Sequence, residues 1–152
     1  MKYYLAKTDG SIHPKESQGL FGEQLTVDEN ITIEKVDSSI VVNANVDGQV
    51  TTLPKIDSTN LGTRVRLRNI GDDGAFAVSV SPNEDDSIHG TIANAAADSV
   101  ASGVADKDLV NTKATANKGD YVDLEAGSYD DTGDGAGEWF IVGGVGVWAS
   151  ES

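Results

Sequence analysis

From Ile31 onward the chain is written in short β-branched runs, broken every few positions by Asp-Gly, Gly-Gly or Pro, and this punctuation constrains the fold more than any other feature. Runs this short do not make ordinary helices, and alternation of period two puts apolar side chains on one face of a strand. The first run is Ile31-Thr32-Ile33-Glu34-Lys35-Val36. In the second, Ile40, Val42, Ala44 and Val46 share a face while Asn43 and Asn45 point away. Asp47-Gly48 supplies a tight turn, residues 49–53 return, and Pro54 ends the ladder because it lacks a backbone donor. A hairpin over residues 40–53 is the expectation.

The same reading continues along the chain. Residues 62–70 alternate strictly, with Val65 and Leu67 on one face and Arg64, Arg66 and Arg68, all the arginines of the protein, on the other. Gly71-Asp72-Asp73-Gly74 is expected to turn the chain so that residues 75–80 pair back, with Phe76, Val78 and Val80 apolar and Pro82 as the stop. Residues 83–90 read as a tight loop that tucks Ile88 into the core. Tyr121-Val122-Asp123-Leu124-Glu125 alternates again, and residues 138–142 and 145–148 form an apolar closing pair, turned or bulged at Gly143-Gly144.

Two segments depart from this pattern. Residues 93–118 are rich in Ala, Ser, Asn and Asp and read as an insertion, with a short helical turn at Asn94-Ala95-Ala96-Ala97 that Gly103 cuts off. Residues 1–30 read as an arm whose apolar clusters, Tyr3-Tyr4-Leu5 and Leu20-Phe21, are expected to bury on a neighbour. With 38% hydrophobic residues, 6% aromatic and 17 glycines, the apolar supply suits a thin β-layered core. The expected fold is all-β: a compact antiparallel β-sandwich or barrel, jelly-roll or β-tulip-like, over residues 31–152, with an extended N-terminal arm over 1–30.

Charge and composition narrow the chemistry. Lys and Arg number 11 against 25 Asp and Glu, a net charge of −14, and such a surface repels phosphate backbones and anionic lipid. Neither nucleic acid nor membrane is expected as a partner. No run approaches the roughly 20 apolar residues of a membrane span. The start, Met1-Lys2-Tyr3-Tyr4-Leu5-Ala6-Lys7, is too short and charged for a signal peptide, so the expectation is a soluble chain not exported through a cleaved signal. Zero cysteines exclude disulfides and thiolate sites, and two histidines, His13 and His89, leave little imidazole chemistry. No cofactor is expected.

Four features invite a functional reading. The arginine row either pairs with Asp123 and Glu125 across its own sheet or meets the acids of a neighbour. In residues 129–138, Asp130, Thr132 and Asp134 alternate ahead of Gly135 as in a calcium loop, but the twelfth position is Ile141 where a bidentate carboxylate is needed, so a solvated hairpin loop is preferred to a metal site. The acidic run Asn83-Glu84-Asp85-Asp86 is read the same way. His89 reads as a turn residue, with no nucleophile context beside it. Trp139 reads as core and Trp148 as a residue that packs on a partner.

The order of motifs, Val50-Thr51-Thr52-Leu53-Pro54, then 62–71, then Val78-Ser79-Val80-Ser81-Pro82, then Asp86-Ser87-Ile88-His89-Gly90, then Gly119-Asp120-Tyr121-Val122-Asp123-Leu124 and Trp139-Phe140, resembles a β module of tailed-phage virion proteins. That module occurs in capsid decoration proteins, head fibres and tail fibres. The resemblance covers roughly residues 31–142, departs at the 93–118 insertion and leaves out the arm. It implies a trimeric, all-β virion component without a catalytic set: a decoration or cement protein on the capsid surface, with the major capsid protein and its own copies as partners. The alternative it leaves is a fibre or receptor-binding domain, which length disfavours because a fibre protein normally adds a shaft. Expected contact residues are Tyr3, Tyr4, Leu20, Phe21, Arg64, Arg66, Arg68 and Trp148.

Overall fold

The computed structural model describes residues 2–7, 12–16, 23–93, 99–130 and 136–151. In chain order the strands are β1 (Lys2–Lys7), β2 (Ile12–Glu16), β3 (Glu23–Val27), β4 (Ile31–Val36), β5 (Ser39–Ala44), β6 (Gln49–Thr52), β7 (Arg64–Asn69) and β8 (Val78–Ser81). They continue as β9 (Ser87–Ile92), β10 (Ser99–Ala105), β11 (Leu109–Asn111), β12 (Tyr121–Tyr129), β13 (Gly137–Val145) and β14 (Trp148–Ser150), with one 3-10 turn at Lys113–Thr115. Sheet A has the order β14-β11-β8-β6-β4-β1-β2 and sheet B the order β10-β9-β13-β12-β7-β5-β3. Their inner faces pack together as a sandwich, so the chain is all-β as expected.

The sheets are mixed, however, not antiparallel. The pairs β3–β5, β5–β7, β4–β6, β6–β8 and β9–β13 are all parallel. Between residues 23 and 81 the chain alternates sheets at every strand: β3, β5 and β7 stack in sheet B while β4, β6 and β8 stack in sheet A.

This overturns the expected hairpin over 40–53. β5 and β6 lie in opposite sheets, and Asp47-Gly48 carries the chain across the sandwich with Gly48 at φ +79°. The reason lies in where the turn's backbone groups bond. Asn45 N donates to Val27 O at 2.8 Å, Gly48 N to Ala77 O at 2.8 Å and Val50 N to Asn30 Oδ1 at 2.8 Å, while Asp47 Oδ1 accepts from Ala77 N at 2.8 Å. Asn45, Asp47 and Gly48 are exposed, yet these hydrogen-bonding groups find partners in the turns of neighbouring coils rather than in a returning strand. The expected pairing of residues 75–80 back onto 62–70 fails for the same reason, since β7 is in sheet B and β8 in sheet A. The closing pair also divides. β13 runs unbroken through Gly143-Gly144 with a bulge between Ile141 and Gly143, whereas β14 joins β11 in sheet A.

Alternation nonetheless assigns the inner faces correctly. Ile40, Val42, Ala44, Val65, Leu67, Val78, Val80, Val122, Leu124 and Trp139 are all buried, and Ile88 joins them. Each buried Val, Leu or Ile among them contributes about 1.5–3 kcal/mol relative to exposure. The expected insertion is no loop: β10 pairs with β9, β11 lies between β8 and β14, and Leu109 is core. The helical turn expected at Asn94–Ala97 falls outside the described residues. Within 1–30, β1 is antiparallel to β4 and β2, and β3 is parallel to β5, so these segments extend the edges of both sheets. Pro14 sits in β2, the outermost strand, the kind of strand to which proline is confined in sheets.

Buried polar side chains pin the two layers. Asn69, at the end of β7, donates to Asn111 Oδ1 of β11 at 2.9 Å and to Phe76 O at 3.0 Å, and accepts from Gly71 N at 3.0 Å. Asn111 in turn donates to Asp120 Oδ2 at 3.0 Å and to Val147 O at 3.1 Å. Asp86, fully buried, accepts from Ile56 N at 2.9 Å with one oxygen and from Gly137 N at 2.7 Å with the other.

Candidate binding face on sheet B

The inward residues of sheet B leave its outward side chains in register, and the pairing lines them up in three cross-strand rows. Phe140, Glu125, Arg64 and Ser39 form one, Gly143, Asp123, Arg66 and Val41 the second, and Val145, Tyr121, Arg68 and Asn43 the third. The antiparallel β7–β12 register places each acid directly across from an arginine, the separation at which opposite charges pair on a sheet.

Arg66 Nε donates to Asp123 Oδ1 at 2.6 Å and Nη2 to Oδ2 at 2.7 Å, a two-pronged fit, while its guanidinium carbon lies 4.1 Å from the centroid of the Tyr121 ring. Those hydrogen bonds, outweighing burial, raise the already high pKa of Arg66. Arg64 Nε donates to Glu125 Oε2 at 2.7 Å, with its side chain 61% exposed. Cross-strand pairing within the sheet is therefore what Arg64 and Arg66 do. Arg68 differs: its Nη1 donates to Asn43 Oδ1 at 3.3 Å, and no carboxylate among the described residues pairs with it. It covers Asn43, which is 3% exposed although it points outward.

At the β13 end of these rows runs an apolar stripe that the sequence reading missed. Phe140, Val142 and Val145 of β13 are exposed by 38%, 47% and 51%. The signal was present, since alternation with the inward Trp139 and Ile141 sends Phe140 outward. Across the arginine side, Ser39, Ile40, Val41, Arg64, Val65, Arg66 and Asp123 line a shallow groove of about 440 Å³.

The other candidates separate. Trp148 is not available to a partner: it is 1% exposed and its Nε1 donates to Val145 O at 3.1 Å, because β14 returns the C-terminal strand to the inside of sheet A. Tyr3 and Tyr4 lie on β1, opposite Val36 and Lys35 of β4. Leu20, Phe21 and Asp134 lie outside the described residues. Asp130 is exposed, and its backbone N donates to Ala136 O at 2.8 Å, closing the β12–β13 connection. Among the described residues no group of three or more potential ligands gathers that could hold a metal. The 83–86 acidic run splits, with Asp85 turned out to Lys55 at 3.5 Å and Asp86 turned in.

His89 stands on the outward face with Ser87 Oγ 3.0 Å and Glu138 Oε1 3.4 Å away, a set of residue types that suggests a nucleophile triad. Both contacts fall on Nε2, however, whereas a triad needs the hydroxyl and the carboxylate on opposite ring nitrogens. The Nδ1 side of the ring is instead packed against β10, where a Cβ at Gly103 would lie 2.8 Å from it. The arrangement holds a ring in place and does not activate a hydroxyl.

No protein-family model, curated protein or solved structure matches this chain.

Proposed function

We propose that the chain is a non-enzymatic structural protein of a tailed-phage virion, a capsid decoration protein that binds the major capsid protein on the outer shell as a homotrimer and stabilises the shell. The observation that carries this reading is where the residues of the resemblance fall in the fold. Leu53, Asn69, Asp86, Ile88, Val122, Leu124 and Trp139 are each buried, and of the two polar ones Asp86 bonds to backbone amides and Asn69 to backbone groups and Asn111. The motif thus coincides with the positions that hold the two sheets together, as a scaffold module requires. Its buried carboxylates face amides of the chain itself rather than a cavity for a substrate. Function then rests on outward surface and binding free energy.

Immunogold electron microscopy of virions with antibody to this chain tests the proposal. Gold distributed over the head supports it. Gold confined to the tail fibres would replace it with the receptor-binding alternative, and unlabelled virions would refute both.

A further inference from the structure

Resting on the reading of a self-assembling chain, we propose that the outward face of sheet B is the surface on which a second copy docks, in a head-to-tail contact that closes a ring. Among the described residues five large hydrophobics are exposed, Leu61, Val104, Phe140, Val142 and Val145, and three of them share β13. Clustered apolar side chains rimmed by polar ones mark an interaction surface more often than scattered ones do.

The charge on this face names the occupant. A chain at −14 repels its own copies over most of its surface. Here the repulsion is cancelled locally, because Asp123 and Glu125 are neutralised by Arg66 and Arg64 and the Arg68 guanidinium remains with an amide oxygen alone. Three guanidiniums against two carboxylates leave one positive charge over in these rows, and with Glu138 on the same face the sheet is neutral where the rest of the chain is acidic, so it is the surface that the acids of another copy meet with least repulsion. A twofold contact would set that surplus against itself. A head-to-tail contact sets it against acids and, when the rotation closes, gives a ring. The groove at Ser39, Val41 and Arg66, across β12 from the stripe, supplies the relief into which a neighbour's edge fits.

Sedimentation velocity of the full chain across a concentration series, with far-UV circular dichroism as the check on folding, tests this. The wild type is expected to be a trimer. Val142→Asp and Arg68→Gln should each weaken association at least tenfold with the fold retained, and Thr32→Asp, outward on sheet A, should not. Where Val142→Asp fails to fold, Arg68→Gln decides, since the one side-chain hydrogen bond of Arg68 among the described residues is to Asn43. A trimer whose association is unchanged in Arg68→Gln, or in a folded Val142→Asp, would overturn this face while leaving self-assembly intact. A dimer would overturn the head-to-tail geometry. A wild type that stays monomeric at every concentration would refute the self-assembly reading itself.

Discussion

Replacing Asp86 by Asn tests whether the acidic run at 84–86 is architecture. The carboxylate accepts two backbone amides, Ile56 N across 30 residues of chain and Gly137 N across 51. Asparagine has one oxygen and one NH₂, so one of those amides would face a donor and lose its partner. An unsatisfied buried donor costs about 1–3 kcal/mol, and for a domain of this size each kcal/mol lowers Tm by about 2–4 °C. The expected loss is therefore about 2–12 °C, measured by urea and thermal denaturation at pH 7.

A pH series sharpens the test. Burial pushes the Asp86 carboxyl above its usual range, opposed by the two amides it accepts. The native state thus holds this proton more tightly than the unfolded chain. Its contribution to stability is fullest below the unfolded value and declines as pH rises through the raised folded one. Asparagine has no such titration, so the wild-type advantage should widen as pH falls from 7 toward the ordinary carboxylate range. An Asp86→Asn protein as stable as wild type at pH 7 would show that the carboxylate is not the tie between residue 56 and β13.

Three further outcomes are expected. Arg66→Gln should cost about 1 kcal/mol in urea denaturation and Arg64→Gln under about 0.5 kcal/mol, because the first pair is half-buried and two-pronged and the second is largely exposed. Gly71→Ala should destabilise by about 1–3 kcal/mol, since its Cβ would sit 2.2 Å from the half-buried Phe76 ring. Gly127→Ala, 2.1 Å from the exposed Phe140 ring, should be tolerated by rotation of that ring, and equal thermal shifts in the two would contradict this distinction. The Asp57 carboxylate accepts from the Thr59 hydroxyl and amide, which lowers its pKa, so its stabilisation is present above the unfolded value and lost as pH falls through the folded one. Asp57→Ala should flatten the acid limb of the stability curve.

The faces of the strands were legible because burial has the same period as the strand, and the pairing of Arg64 and Arg66 with Glu125 and Asp123 followed from which residues share an outward face. The route of the chain was not legible. Asp47-Gly48 has the residues of a hairpin turn, yet whether a turn returns to its own sheet depends on distant backbone partners such as Val27 and Ala77. Residues 99–111 read as loop because a terminal strand and a short strand need few large apolar side chains, and among the described side chains there Leu109 is the large one in the core. Trp148 reads as a residue that packs on a partner because nothing local to it shows that β14 joins β11 in sheet A. Asp86 was hidden in an acidic run, since composition does not show which of three neighbouring carboxylates turns inward.

The alternation of sheets between residues 23 and 81 also governs how the chain reaches its fold. Each hydrogen-bonded strand pair in that stretch skips an intervening strand, so none of it can form as an isolated local unit. Pairs adjacent in sequence are β1–β2, β9–β10 and β12–β13. Non-local pairing carries its loop-closure entropy before its contacts form, which slows folding. The nucleus is expected in the long β12–β13 ribbon, onto which β7 docks before the parallel stacks assemble outward. Until they do, unpaired strand edges are open to other chains, the circumstance in which β proteins aggregate. Fourteen units of like charge keep those chains apart during that interval, so the acidity serves the nascent protein before it serves the finished one.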